Sequence, residues 1–584
     1  MDKPLFSFGI ITDTHIRAPQ GDLSSPYPVN ERANARARYA AALLQAQKPE
    51  FVIHLGDMVH PLPGMPVYNV ACDEALSIFS KLPKLHFVAG NHDIGDKPMP
   101  GSPAAGIDNT AMSLYTGKFG PQWYSFEHKN CCIVVINSSL INTGIEAEHQ
   151  QFQWLQQELE ANSQKRIILF SHYPPYLHDT KEQEHYDNIA EPGRHSLLKL
   201  VSQYNIELVF SGHVHQFFFN QLGGTTFYTL PPTSFTRQDY AEIFNTMPAT
   251  EFGRDDHGKY SVAIVEVYAS GHRLRLLPTE GKEISQDQKP LPESLYRKRP
   301  TTKKLAVSLR HIWHQSIDLP YNGPMEEFSR KRVRNDYTLL RLLQTGIDQV
   351  RVPIHDLLED SSRQRMADYA SLGIRFHTFC RIEQLPQALE AACRHNTLVS
   401  TLECIMPTDM QEWPALIAKH FSQITADKLP IHLGYACSGA HASTSDKPFA
   451  HTVTSGFQWH DHENVLEQLA TYSPLSQCSG IVFQIPWEAS LLDTLQHMQR
   501  VFTSLPCYCV VNLRLSLENP AAANFDDDAI AERITSALKF VETAPDLRLH
   551  LDTFADIDRG YSPRHGLLDR RYNLRPAGQR LASS

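Results

Sequence analysis

The sequence predicts the α/β fold class twice over: a layered α/β domain followed by a (β/α)8 TIM-like barrel. Three observations carry this. The chain has 584 residues, too long for one hydrophobic core. In the first half, short apolar runs alternate with helical stretches and break abruptly into polar residues. In the second half, eight apolar runs alternate with amphipathic stretches. The boundaries follow: a first domain over 1–277, a linker over 278–300 rich in Lys, Pro, Gln and Glu, and a barrel-like domain over 301–584.

The first half can be read in order. Phe6–Ile11 is an apolar run ending at Asp13-Thr14-His15. Residues 30–47 read as a helix, and 51–55 as a strand ending at Gly56-Asp57. Residues 71–80 are helical. Residues 85–89 form a third strand, which breaks into Gly90-Asn91-His92-Asp93. Residues 123–126 and 131–137 pair as strands, and 152–159 is an amphipathic helix. The strand 166–170 ends at Ser171-His172, and 207–210 ends at Ser211-Gly212-His213-Val214-His215. Residues 216–230 and 260–268 alternate like sheet strands, with Gly223-Gly224 as a hairpin turn.

In open α/β sheets, sites gather outside the carboxyl ends of strands. The strand ends here supply Asp13, His15, Asp57, Asn91, His92, His172, His213 and His215. Any one of these is more often structural than functional. Their joint occurrence, each directly after an apolar strand, is hard to obtain by chance. Carboxylates, imidazoles and an amide form an N/O ligand set suited to Mn, Fe, Zn or Ni. The set is too large for one ion and suits two ions about 3.5–4 Å apart. His54 and His60 flank Asp57, and Arg237 follows the last histidines. His60 and Arg237 are therefore candidate substrate-binding residues.

Asp13-x-His15, Gly56-Asp57, Gly90-Asn91-His92-Asp93, His172 and Gly212-His213-x-His215 together resemble the motif set of the calcineurin-like metallophosphoesterases, over about residues 5–275. The resemblance implies a four-layer α/β/β/α fold. It implies one metal held by Asp13, His15 and His215, a second held by Asn91, His172 and His213, and Asp57 bridging both. The cofactors would be two divalent ions, Mn, Fe or Zn, with a hydroxide between them attacking phosphorus. His92 would contact the phosphoryl group and assist the leaving group, with Asp93 orienting its ring. Tyr173-Pro174-Pro175 is similar to the class III branch, the cyclic-nucleotide and glycerophosphodiester phosphodiesterases. The implied substrate is a small phosphodiester with a sugar, polyol or nucleoside part. The alternative is a sugar or nucleotide phosphomonoester.

In the second half, the apolar runs are 305–311, 349–353, 374–379, 398–403, 431–436, 480–485, 507–513 and 547–551. Barrel function sits on the loops after strands, so the candidates are His311, His314, Arg351, His355, His377, Glu403, His432, Gln484, Arg514, Asp552, Asp556 and Asp558. Residues 552–573 resemble the close of glycoside-hydrolase-type barrels. Retaining glycosidases need two carboxyls about 5–5.5 Å apart. Glu403 is a candidate acid, but the seventh strand ends in Asn512-Leu513-Arg514 with no carboxylate in place. This favours a carbohydrate-binding barrel, which helps choose the substrate, over an active glycosidase. The long stretch 438–462, with His441, His451, His460 and His462, would cap a site.

The formal charge of −10 is mild for this length and argues against a nucleic-acid-coating protein. No apolar run is long enough to span a bilayer, and the start leads straight into a strand, which predicts no signal peptide. The ten cysteines make no CxxC pair, so a reduced, cytoplasmic setting is expected.

Overall fold

The computed structural model describes residues 3–99, 105–285, 304–321, 326–421, 429–439, 454–472, 478–517, 522–551, 553–558 and 565–583. Most of the expected linker, and His441, His451 and Asp552, lie outside these residues. The chain divides into two compact units. The first is Met1–Arg297 with Gln315–Leu340, and the second is Lys298–His314 with Arg341–Ser584. Residues 315–340 therefore group with the first unit. Among the described residues, no helix is long and apolar enough to cross a membrane.

The first unit holds two large sheets. Its strands are β1 (Phe6–Ile11), β2 (Val52–His54), β3 (Leu85–Phe87), β4 (Tyr124–His128), β5 (Cys131–Val135), β6 (Arg166–Phe170), β7 (Leu208–Ser211), β8 (Phe218–Leu222), β9 (Thr225–Thr229), β10 (Ser261–Val267) and β11 (His272–Pro278). One sheet runs β11-β10-β1-β2-β3 and the other β4-β5-β6-β7-β9-β8. Alternation along β1 explains the layering. Phe8 faces the other sheet and meets Phe170 and Phe210 at ring-centroid distances of 6.0 and 6.2 Å. Its neighbour Gly9 lies against Leu44 of the helix Ala33–Ala46. That helix and Tyr68–Phe79 bury Ala37, Ala40, Leu44, Ala71 and Phe79 against the first sheet. On the far side, Leu155, Leu159, Leu197 and Val201 cover Val134, Ile167 and Leu169. The result is the four-layer α/β/β/α arrangement. The Gly223-Gly224 turn joins β8 and β9 as expected.

The same unit also holds an antiparallel hairpin, β13 (Ser316–Pro320) with β14 (Arg330–Arg334). Leu319 and Val333 pack with Leu177, Val214, Phe218 and Tyr240. The sequence reading placed these residues in the barrel.

The second unit is a closed barrel. Its parallel strands are β12 (Leu305–Ser308), β15 (Gln349–Pro353), β16 (Arg375–Arg381), β17 (Val399–Met406), β18 (His432–Gly439), β21 (Cys478–Ile485), β22 (Tyr508–Leu513) and β23 (Leu547–Leu551). Pairing of β18 with β21 completes the ring. Two-residue strands β19 (Thr454–Ser455) and β20 (Phe457–Gln458) flank it. Amphipathic helices surround it: Leu491–Phe502 buries Leu495, Met498 and Phe502, and Asp527–Thr543 buries Ile530, Ile534 and Val541.

Candidate metal centre

The polar strand ends converge in the first unit. Five of their residues sit in the left-handed backbone region: Asp13 (φ 51°), His15 (φ 45°), Asp57 (φ 51°), His213 (φ 67°) and His215 (φ 57°). Such conformations cost about 1–3 kcal/mol each and persist only where the surroundings over-determine them. Here the ends of β1 and β2 hold each other. Asp13 N donates to Gly56 O at 3.1 Å, and His15 N donates to Asp57 O at 3.0 Å. Two glycines let the strand ends touch. A Cβ on Gly56 would lie 2.5 Å from His172 Nδ1, and one on Gly90 would lie 2.1 Å from Asp57 N.

The side chains then meet. His15 Nε2 lies 3.0 Å from His215 Nε2 and 3.5 Å from Asp57 Oδ2. His215 Nε2 is 3.4 Å from Asp13 Oδ1. On the other flank, His172 Nε2 is 3.3 Å from Asp57 Oδ1 and 3.1 Å from Asn91 Oδ1. His213 Nδ1 is 3.0 Å from the same Asn91 oxygen. Asp13, His15, Asp57 and His215 form one group able to hold an ion, and Asp57, His172 and His213 form another. Asp57 belongs to both.

The outer hydrogen bonds fit this reading. His172 Nδ1 pairs with Leu55 O at 2.8 Å, and His215 Nδ1 with Phe235 O at 2.7 Å. His213 pairs through Nε2 with Tyr186 O at 3.3 Å. A carbonyl accepts only from N–H, so each ring presents its lone pair to the cluster, as a metal-binding imidazole must.

The electrostatics agree. Burial pushes His15 and His213 below the usual imidazole range. Burial also opposes charge on His172, yet the adjacent Asp57 carboxylate holds that ring up to about 9. Asp57 is itself held well below the carboxylate range: burial works against this, but the charges of His172 and His92 outweigh it. The Asp57 carboxylate thus favours positive charge beside it, while the buried His15 and His213 rings resist it.

His92 reaches the edge of this group, its ring centroid 4.6 Å from that of His15. Its Nδ1 is held by His60 O. Asp93 does not orient it, contrary to what the resemblance implies. The Asp93 carboxylate accepts from Met58 N at 2.9 Å, Val59 N at 3.2 Å and Gly90 N at 3.0 Å, so it braces the loop that carries Asp57. Burial, reinforced by the Asp57 charge, pushes its pKa up to about 8. His60 lies beside the cluster, its Nδ1 3.2 Å from His15 Nδ1. Arg237 lines only a small cavity, with Tyr240, Gly253 and Lys259. It is buried and ion-paired to Asp187 and Asp239, so its guanidinium is committed within the protein.

Two features had no signal in the sequence. Lys331 on β14 pairs with both Asp187 and Asp239, and Tyr240 donates to Asp187 at 2.9 Å. Asp187 Oδ1 lies 3.9 Å from His213 Nε2, so the hairpin supports a residue behind the cluster. Arg254 stacks between Tyr27 and Phe235, 3.9 and 4.5 Å from the ring centroids. Phe235 in turn lies 4.3 Å from the His215 ring and 4.8 Å from the His15 ring. No side-chain ion pair or hydrogen bond engages the Arg254 guanidinium among the described residues.

In the barrel, the carboxyl-end candidates among the described residues are held in separate pairs, Arg514 with Gln484 among them. Glu403 pairs with Arg351, and both line an interior cavity with His377 and His432. Asp556 is bound by Arg575. His314 pairs with Ser362 at 2.8 Å.

The fold and donor cluster together define a class, the two-sheet phosphoesterases with a polar site at their strand ends. Residues 6–217 match the family model for calcineurin-like phosphoesterases. The serine/threonine-protein phosphatase CPPED1 of Danio rerio is 28% identical over 29% of this chain and 55% of its own length. The CPPED1 of Mus musculus is 27% identical over 30% of this chain and 56% of its own. The chain thus spans about half the length of these curated relatives. A solved structure, the purple acid phosphatase PPD1 from yellow lupin seeds, aligns over 49% of this chain and 53% of its own at 14% identity, with a TM-score of 0.34.

Proposed function

We propose that the first unit is a metal-dependent phosphoric ester hydrolase. Asp13, His15 and His215 would hold one divalent ion, Asn91, His172 and His213 a second, with Asp57 shared. Mn, Fe and Zn all suit the donors. Such ions supply a nucleophile at neutral pH and offset phosphoryl charge. The single observation that carries the reading is the converging donor set with its outer carbonyl partners.

The chain's own residues complete the chemistry. His92, whose Nδ1–H donates to His60 O, would give a proton to the leaving oxygen from Nε2 in its imidazolium form. Arg254 would bind the substrate anion: an aromatic-flanked guanidinium without an internal partner suits phosphate oxygens. We favour a small phosphodiester, on the Tyr173-Pro174-Pro175 resemblance, with the barrel contributing to substrate choice. The printed names of the relatives support a second reading, phosphomonoester cleavage.

The test is hydrolysis of bis(p-nitrophenyl) phosphate against p-nitrophenyl phosphate, with Mn and with chelator. Metal-dependent diester cleavage, lost in Asp57→Asn, is expected. Preference for the monoester would select the second reading, and a wild-type rate in Asp57→Asn would sink both.

A further inference from the structure

The barrel interior is not filled. A cavity of about 300 Å³ lies at the amino-terminal end of the strands, bounded by their opening residues, among them Lys304, Gln349, His432 and Tyr508. Barrels are normally packed by layers of bulky side chains. Here Ala306, Gly434 and Gly480 stand on the cavity wall, and Ala306 and Val510 stay half-buried although they lie within barrel strands. The volume is at the lower end of the range for small-molecule pockets.

The polar lining decides what fits. Arg351 and Glu403 form a buried ion pair, with Arg351 Nε 3.1 Å from Glu403 Oε2, so the wall carries no net charge from them. Among the described residues, Arg351 bonds Glu403 through Nε and Nη2 and no hydrogen bond engages Thr401 Oγ1, which leaves Arg351 Nη1 and Thr401 Oγ1 open to the cavity that both residues line. Unpaired buried polar groups are costly. His377 Nε2 pairs with Gln349 Oε1 at 2.7 Å, so its ring presents Nδ1 as an acceptor. The cavity therefore offers a donor, an acceptor and a hydroxyl that is both. Lys304 and Arg548 also line the cavity, but both donate to backbone carbonyls beside the strand starts, whereas an anion among the interior groups would meet the Glu403 carboxylate and the imidazole lone pair. A hydroxyl-rich neutral molecule can satisfy all three.

We infer that this cavity is a binding site for a neutral, polyhydroxylated molecule of monosaccharide size. It is a binding site and not a catalytic one, because barrel catalysis is built at the opposite, carboxyl end of the strands. The inference stands apart from the phosphoesterase reading and does not depend on it.

The test is calorimetric titration of the full chain with D-glucose, D-ribose and myo-inositol, and separately with inorganic phosphate. Saturable binding of at least one polyol is expected, and no binding of phosphate that competes with it. Thr401→Val, which keeps the volume, should weaken binding about tenfold through one lost hydrogen bond. Val510→Phe, which fills the cavity, should abolish it, with circular dichroism confirming the fold of both variants. Absence of binding by all three polyols overturns the assignment. So does wild-type affinity in both variants, or competition by phosphate.

Discussion

At the residue scale, the centre depends on side chains whose ring nitrogens are held from behind. His92 is half-buried and anchored only through Nδ1. His92→Ala should lower kcat by about 10²–10⁴, the usual worth of a general acid, with metal content unchanged by elemental analysis. Arg254 tests a different property. If its guanidinium holds the substrate anion, Arg254→Ala removes a charge-assisted hydrogen bond of about 1.5–3 kcal/mol. KM should then rise about tenfold or more, with kcat little affected, and Arg254→Lys should recover part of the loss. An unchanged KM would assign Arg254 to packing on Tyr27 and Phe235.

At the element scale, the β13–β14 hairpin is the unexpected component. Lys331 is buried between Asp187 and Asp239, and Arg237 shares both carboxylates. Removing one member of a buried charge network leaves the others uncompensated, at about 3–5 kcal/mol. Lys331→Met should lower the denaturation midpoint accordingly. Because Asp187 stands behind His213, it should also weaken metal retention during dialysis. The second effect separates support of the site from general stability. The Gly56 and Gly90 turns belong to the same scale: any Cβ there drives the strand ends apart, so Gly90→Ala should lose activity while keeping most secondary structure.

At the scale of the whole molecule, acid should destabilise the barrel through one of its own residues. Burial lowers His377 from the ordinary imidazole value of 6.5 to about 4. The unfolded chain therefore binds a proton that the folded barrel refuses. Stability is full above the unfolded value and falls as pH drops from 6.5 towards 4. Thermal melts over this range should show that slope, and His377→Asn should flatten it.

The sequence by itself determined the first unit and its donor set. Local patterning is enough for this, because an apolar run followed by glycine and a metal-ligating side chain marks a strand end, and strand ends converge in this class of fold. The barrel was legible for the same reason, from eight apolar runs. Tertiary structure alone decided which groups remain available. Arg237 looked like a pocket arginine but is ion-paired to Asp187 and Asp239, whereas Arg254 carried no motif and, among the described residues, no hydrogen bond engages its guanidinium. Asp93 turned to backbone amides because the Asp57 loop presents two N–H groups to it and Gly90 a third. Lys331 joined the first unit, and Glu403 faced inward to Arg351. Each of these outcomes depends on which partner a charged group meets in space, and pairing between distant residues leaves no local periodicity to read.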